Sequence, residues 1–132
     1  MTGLDTNVLV RYVMQDDARQ SPRATRLIES LSAEEPGFVP VVTLVELTWV
    51  LSGSYGLDRA QVAQVLESLL RSKELVVDRA ELVAQALKRF ISAGADFADA
   101  LIERIAADAG CPATMTFDAG AAKSAEIGRA HV

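Results

Sequence analysis

Scarcity narrows the chemistry first: the 132 residues include one cysteine and one histidine. Cys111 has no second cysteine to pair with, so no internal disulfide forms and no CxxC pair exists. His131 stands alone near the C-terminus, leaving no Ser/His/Asp set and no imidazole-based metal cluster. A Walker-type phosphate loop is also missing. No apolar run reaches the roughly 18 residues needed to cross a bilayer, because Arg11, Glu46 and Asp58 interrupt the candidates. The opening Met1-Thr2-Gly3-Leu4-Asp5 lacks the basic and apolar stretches of a secretion signal. These absences lead to the expectation of a soluble cytoplasmic protein. Positive charge is in short supply too, with 13 basic side chains against 18 acids and a net charge of −5. That balance excludes a simple cationic coat for nucleic acid. An apolar half excludes disorder, and the length suits a single domain over residues 1–132.

Apolar spacing alternates between short runs and longer helical stretches, the pattern of an α/β protein with a central, mostly parallel sheet flanked by helices. Four short strands are expected at Met1–Asp5, Gly37–Val42, Leu75–Val77 and Ala113–Phe117, with Gly128–Val132 too weak for a fifth. Ser21 followed by Pro22 reads as a helix cap and first helical residue, opening a helix to about Ser32. Asp58 caps a helix carrying Val62, Val65, Leu66, Leu69 and Leu70 three or four residues apart. A further helix runs from about Arg79 to Ala93 and stops at Gly94. The next covers Ala98–Ala109, with Leu101, Ile102, Ile105 and Ala109 on one stripe, and ends at Gly110.

Five acids stand apart from an ordinary solvated face. Asp5 ends the first strand and Asp118 follows the fourth, where ligands of open α/β sheets bind. Glu46 sits inside the apolar stretch Val41–Val50 and is expected to be buried there. Asp96 and Asp99, three apart at a helix start, share one face of the first turn. Removing these five from 18 acids leaves 13, equal to the 13 bases, so the whole net charge could belong to one cleft. Carboxylates held roughly 4 Å apart repel by about 1 kcal/mol in water and about 4 kcal/mol at an effective dielectric of 20. Such a group needs protons or a cation. Oxygen donors without histidine favour Mg²⁺ or Mn²⁺ over zinc, and Mg²⁺ suits phosphate oxygens.

Each acid also has a plainer role. Asp96 and Asp99 serve equally as a helix cap and a first-turn acid, and Asp5-Thr6-Asn7 as a capping turn. Glu46 would suit a buried salt bridge to an arginine, and Asp118-Ala119-Gly120 a tight turn. Asp58, Asp16 and Asp17 read as caps or loop charges, Trp49 and Cys111 as core. Arg11, Arg19, Arg23 and Arg26 gather in the first quarter, and Lys88 and Arg89 later; they suit either a basic rim or solvated helix faces.

The order and context of four segments resemble the PIN-domain ribonucleases, and among them the VapC-type toxins of toxin–antitoxin pairs. The segments are Gly3–Tyr12, Val45–Leu51 followed by Tyr55-Gly56-Leu57, Ala95–Ile102, and Thr116-Phe117-Asp118. The resemblance implies a PIN-like fold and metal-dependent hydrolysis of RNA. It places Asp5, Glu46, Asp99 and Asp118 on the family's acidic quartet and Asp96 on an additional acid. Thr6, Asn7 and Thr116 match small polar positions near the metals. By this resemblance Asp5 and Asp99 are the main ligands of one Mg²⁺ or Mn²⁺, Asp96 and Asp118 serve a second, and Glu46 orients a water. The implied partners are an RNA substrate, a VapB-like antitoxin laid over the cleft, and a second copy in a homodimer. After Asp118 this sequence departs from its relatives, which often carry a basic residue, a further helix and a short hydrophobic strand. Two other classes fit part of the pattern. A Mg²⁺-dependent phosphotransferase or phosphatase uses strand-end acids, although Asp5-Thr6-Asn7 lacks a second acid two residues on. A catalytically silent PIN-like binding module would keep the fold without turnover.

Overall fold

Short apolar runs and the caps that end them set the architecture. The computed structural model describes residues 1–124 and 128–129, and the chain divides into two units, Met1–Ala80 and Glu81–Val132. In the first, strands β1 (Thr2–Gly3), β2 (Gly37–Val39) and β3 (Leu75–Val77) form a parallel sheet in that order. Gly37 lies opposite Thr2 on one side and Leu75 on the other. Parallel neighbours require crossovers. Helices α1 (Thr6–Met14) and α2 (Gln20–Glu29) supply the first, α3 (Val41–Gly53) and α4 (Arg59–Arg71) the second. A Cβ built on Gly37 would lie 2.8 Å from Cδ1 of both Leu4 and Leu31, so glycine lets these leucines close over the central strand. Leu9, Val39, Leu44, Leu47, Leu51 and Leu66 are almost wholly buried, and the buried Thr43 hydroxyl donates to the Leu4 carbonyl.

The second unit holds α5 (Ala80–Ser92), α6 (Phe97–Asp108), β4 (Met115–Thr116), α7 (Ala119–Ser124) and β5 (Gly128–Arg129). Strands β4 and β5 pair in parallel. Gly94 and Gly110, at φ +68° and +95°, end α5 and α6 in the left-handed region that glycine adopts without a steric cost. Phe90 and Phe97 meet edge to face with ring centres 6.5 Å apart. Glu103, also buried, accepts from the guanidinium groups of Arg89 on α5 and Arg104 beside it.

The α/β class and the parallel pairing are as expected, while the strands form a sheet of three and a pair rather than one sheet of four or five. Several boundaries move for identifiable reasons. Val41 and Val42 begin α3 instead of ending β2, because Pro40 has no N–H for the ladder and its carbonyl accepts from Thr43 and Leu44. Helix α2 opens at Gln20. Asp17 Oδ1 accepts from the N–H groups of Arg19 and Gln20, while Ser21, expected as the cap, is buried and accepts from Asp17 N–H. Asp58 caps α4 as expected, in a reciprocal capping box with Gln61. Cys111 is exposed rather than core. On α6 the buried line is Phe97, Ala100, Leu101 and Glu103, leaving Ile102 54% exposed. After Asp118 the chain does form a helix and a short strand, for backbone pairing asks no apolar side chain of Gly128 or Arg129. Of the weak Gly128–Val132 run, residues 130–132 lie outside the described residues, as does His131. Among the described residues no helix is long and apolar enough to cross a membrane.

Candidate functional site

In the first unit the chain turns sharply where β1 meets α1, and Asp5 makes the turn. Leu4 is anchored by its N–H to the Phe38 carbonyl and by burial, so Asp5 emerges at the carboxyl end of the strand. Its backbone is extended and its Oδ1 accepts from Val8 N–H at 3.0 Å, capping α1. The plain capping role is therefore real, but it uses one carboxylate oxygen. Thr6 and Asn7 are the first two residues of α1. The Thr6 hydroxyl donates to Glu46 Oε1 at 2.9 Å, joining residues 40 apart in sequence.

Glu46 is exposed, not buried as its apolar neighbours suggest, and among the described residues its partner is this hydroxyl rather than an arginine. Trp49, expected in the core, is 58% exposed, and Val42 is 64% exposed. Residues 42, 46 and 49 fall on one helical face, so α3 turns an apolar residue outward on either side of its carboxylate. The buried face belongs to Leu44, Leu47, Thr48 and Leu51.

A cavity of about 290 Å³, lined by α1 and α2, has Asp5 and Asn7 in its wall together with Arg11, Gln20 and Arg23. Arg11 is occupied: it donates to Gln20 Oε1, to Asp16 and to the Tyr55 hydroxyl. Tyr55 in turn donates to Asp16 at 2.6 Å, and this bond is the main cause holding the Asp16 carboxyl below its ordinary range. Gln20 was not foreseen as a lining residue, since nothing in its own sequence context marks it.

In the second unit, Asp96 caps α6, with Oδ2 accepting from Asp99 N–H at 3.1 Å. Asp99 is the third residue of that helix and is half-buried. Asp118 follows β4; its N–H donates to the Thr116 hydroxyl, and its Oδ1 accepts from Gly120 and Ala121 at 2.8 and 3.2 Å. That Oδ1 would sit 3.2 Å from a Cβ at position 120, so glycine permits the close turn.

Asp96, Asp99 and Asp118 act on one another electrically. Burial chiefly, then the charges of Asp96 and Asp118, push the Asp99 carboxyl above the usual carboxylate range. Among the described residues no hydrogen-bond donor offsets that cost. A carboxylate so placed is a poor choice for helix capping alone and a good one for holding a cation. The donor chemistry fits a hard divalent ion: carboxylates, with threonine hydroxyls close by. Within neither unit, among the described residues, do three or more His, Cys, Asp or Glu side chains already form a group that could hold a metal ion. The apolar residues of α4 are mostly core: Val62, Leu66 and Leu69 are buried.

The family model described as PIN domain matches residues 4–127. No curated protein matches the chain.

Proposed function

The chain belongs to the PIN-domain family, whose members are generally metal-dependent nucleases, and from that premise we propose that it is a VapC-like endoribonuclease using Mg²⁺ or Mn²⁺. The observation that carries the reading is the second unit's trio: half-buried Asp99, with Asp96 one turn before it and Asp118 after β4, both of whose charges raise its carboxyl. Asp5, Glu46, Asp99 and Asp118 are the proposed catalytic acids, and Asp5, Asp96, Asp99 and Asp118 the proposed metal ligands. A bound divalent ion would acidify a water and stabilise the leaving oxygen of a phosphodiester.

The chain's own groups do the rest. Thr6 holds one oxygen of Glu46, giving the carboxylate a set orientation for taking a proton from an attacking water. Among the described residues, backbone N–H groups fix Asp118 through Oδ1 alone, and those of α1 and α6 hold Asp5 and Asp96 through one oxygen each. Each is thus preorganised with a second oxygen for coordination. No protein nucleophile is required.

The test is RNA cleavage by the full chain, abolished by EDTA and restored by Mg²⁺ or Mn²⁺. Asp99→Asn and Asp118→Asn should lose it while remaining folded. Metal-induced stabilisation without cleavage of any RNA would favour the silent binding module, and hydrolysis of a phosphomonoester would favour a phosphatase. The toxin reading further expects growth arrest on expression, relieved by a neighbouring VapB-like antitoxin, and a homodimer in solution. The cytoplasm is the expected compartment.

A further inference from the structure

We infer that Arg19, Arg23 and Arg26 form a phosphate-binding row on α2 that leads single-stranded RNA toward Asp5. The identity of the polymer rests on the ribonuclease reading; the row itself does not. Spacings of four and three residues put the three side chains on one helical face, over a length of about 10 Å. None of them makes an ion pair among the described residues, whereas Arg11, Arg71, Arg89 and Arg104 all do. All three are exposed on the surface of α2.

Arg26 lies in the last turn of α2, where a cation suits the helix dipole, but helix stability does not account for Arg19 and Arg23. Arg19 is the N-cap residue of α2 and Arg23 follows one turn later, at the end where the helix dipole disfavours cations by about 0.3–1 kcal/mol each. Asp17, which lines a cavity with Arg19 and Arg23, accepts from the N–H groups of Arg19 and Gln20 through Oδ1. Arg23 lines two cavities. One, of about 570 Å³, it shares with Asp17, Arg19 and Gln20. The other is the cavity of about 290 Å³ whose lining also includes Asp5 and the apolar Val8, Ala24 and Leu27. Guanidinium groups suit phosphate, and an apolar lining suits the face of a base. The occupant that matches both is a nucleotide strand, with one nucleotide seated beside Asp5.

The experiment uses the full chain in EDTA, where cleavage is silent, and follows binding of a fluorescein-labelled single-stranded RNA of mixed sequence across salt concentrations. Each lost phosphate contact flattens the dependence of log affinity on log salt by about 0.7, so R19Q/R23Q/R26Q should flatten it by about 2. The single-charge control Lys73→Gln, on an exposed residue before β3, should leave it nearly unchanged. With Mg²⁺ present, the triple variant should raise KM several-fold at unchanged kcat. An unaltered salt slope, an equal effect from Lys73→Gln, or a parent that binds no RNA would overturn the inference. So would arginine-dependent binding of oligoglutamate in place of RNA, which would assign the row to an acidic protein partner. Arginine-dependent RNA binding without metal-dependent cleavage keeps the row and removes the ribonuclease reading. Cleavage with slope and KM unchanged does the reverse.

Discussion

Neutralising Asp99 changes stability in opposite directions under the two roles open to it. Asp99→Asn keeps the backbone N–H that donates to Asp96, so the cap of α6 survives and only the charge is removed. As a first-turn acid, Asp99 would contribute about 0.3–1 kcal/mol through the helix dipole, and its loss would lower stability by that amount. As one member of a repelling group, it carries a larger cost of the other sign. A carboxylate pair roughly 4 Å apart repels by about 1 kcal/mol in water and about 4 kcal/mol at an effective dielectric of 20. Asp99 is half-buried while Asp96 and Asp118 are exposed, which places the repulsion toward the lower part of that range before desolvation is added. The expected net result is a metal-free variant more stable by about 1 kcal/mol, a rise in Tm of about 4 °C for a chain of this size. Thermal unfolding in EDTA measures it. In the parent, Mn²⁺ at about 100 times its Kd should stabilise by about 2.7 kcal/mol, and the variant should lose most of that gain. A variant that melts lower than the parent, together with a parent indifferent to Mn²⁺, would refute the argument.

Two further perturbations test the packing that supports the acids. The hydrogen bond from Arg104, then that from Arg89, hold the Glu103 carboxyl below its ordinary range against the opposing effect of burial. A lowered folded-state pKa means stability present above the unfolded value, about 4.3, and lost as pH falls through the folded one. Glu103→Gln should therefore cost about 1–3 kcal/mol at pH 7, less than for a fully dry pair because the arginines retain 19% and 26% exposure. Urea unfolding at pH 7 and pH 3 should show that difference shrinking in acid; a constant difference would count against the ion pair. Gly37→Ala should cost about 1–3 kcal/mol, since its Cβ would displace Leu4 and Leu31 at the sheet's centre. An unchanged unfolding midpoint would mean that both leucines move at no cost.

What the sequence discloses depends on local contrast. Asp58, Gly94 and Gly110 are legible because capping and positive φ are decided within a few residues of the chain. Asp5, Asp96 and Asp118 are legible for the same reason: each ends a strand or opens a helix, and the structure finds each accepting the N–H bonds its position invites. Residues 41–51 offer no contrast, being apolar around nearly the whole helix. Periodicity therefore cannot say which face turns outward, and Glu46 and Trp49 are misjudged together for that single cause. Helix α7, built of Ala, Gly, Lys and Ser, likewise has no large side chain to mark one face.

The site's electrostatics is only half legible for a different reason. Capping positions mark Asp96 and Asp118 within the second unit, but the burial of Asp99 relative to these exposed neighbours depends on how α6 packs. That difference in burial, more than the count of carboxylates, makes the group costly without a cation: three fully exposed aspartates would be screened by water and salt. The arginines of α2 present the converse case. Their spacing is visible in sequence, yet a solvated face and a phosphate row look alike until pairing partners are assigned. Arg11 then leaves the set, bound to Asp16, Gln20 and Tyr55, and Arg19, Arg23 and Arg26 remain. The proposed roles of Asp99 and of the α2 row thus rest on the same kind of observation, a charge that no ion pair offsets among the described residues.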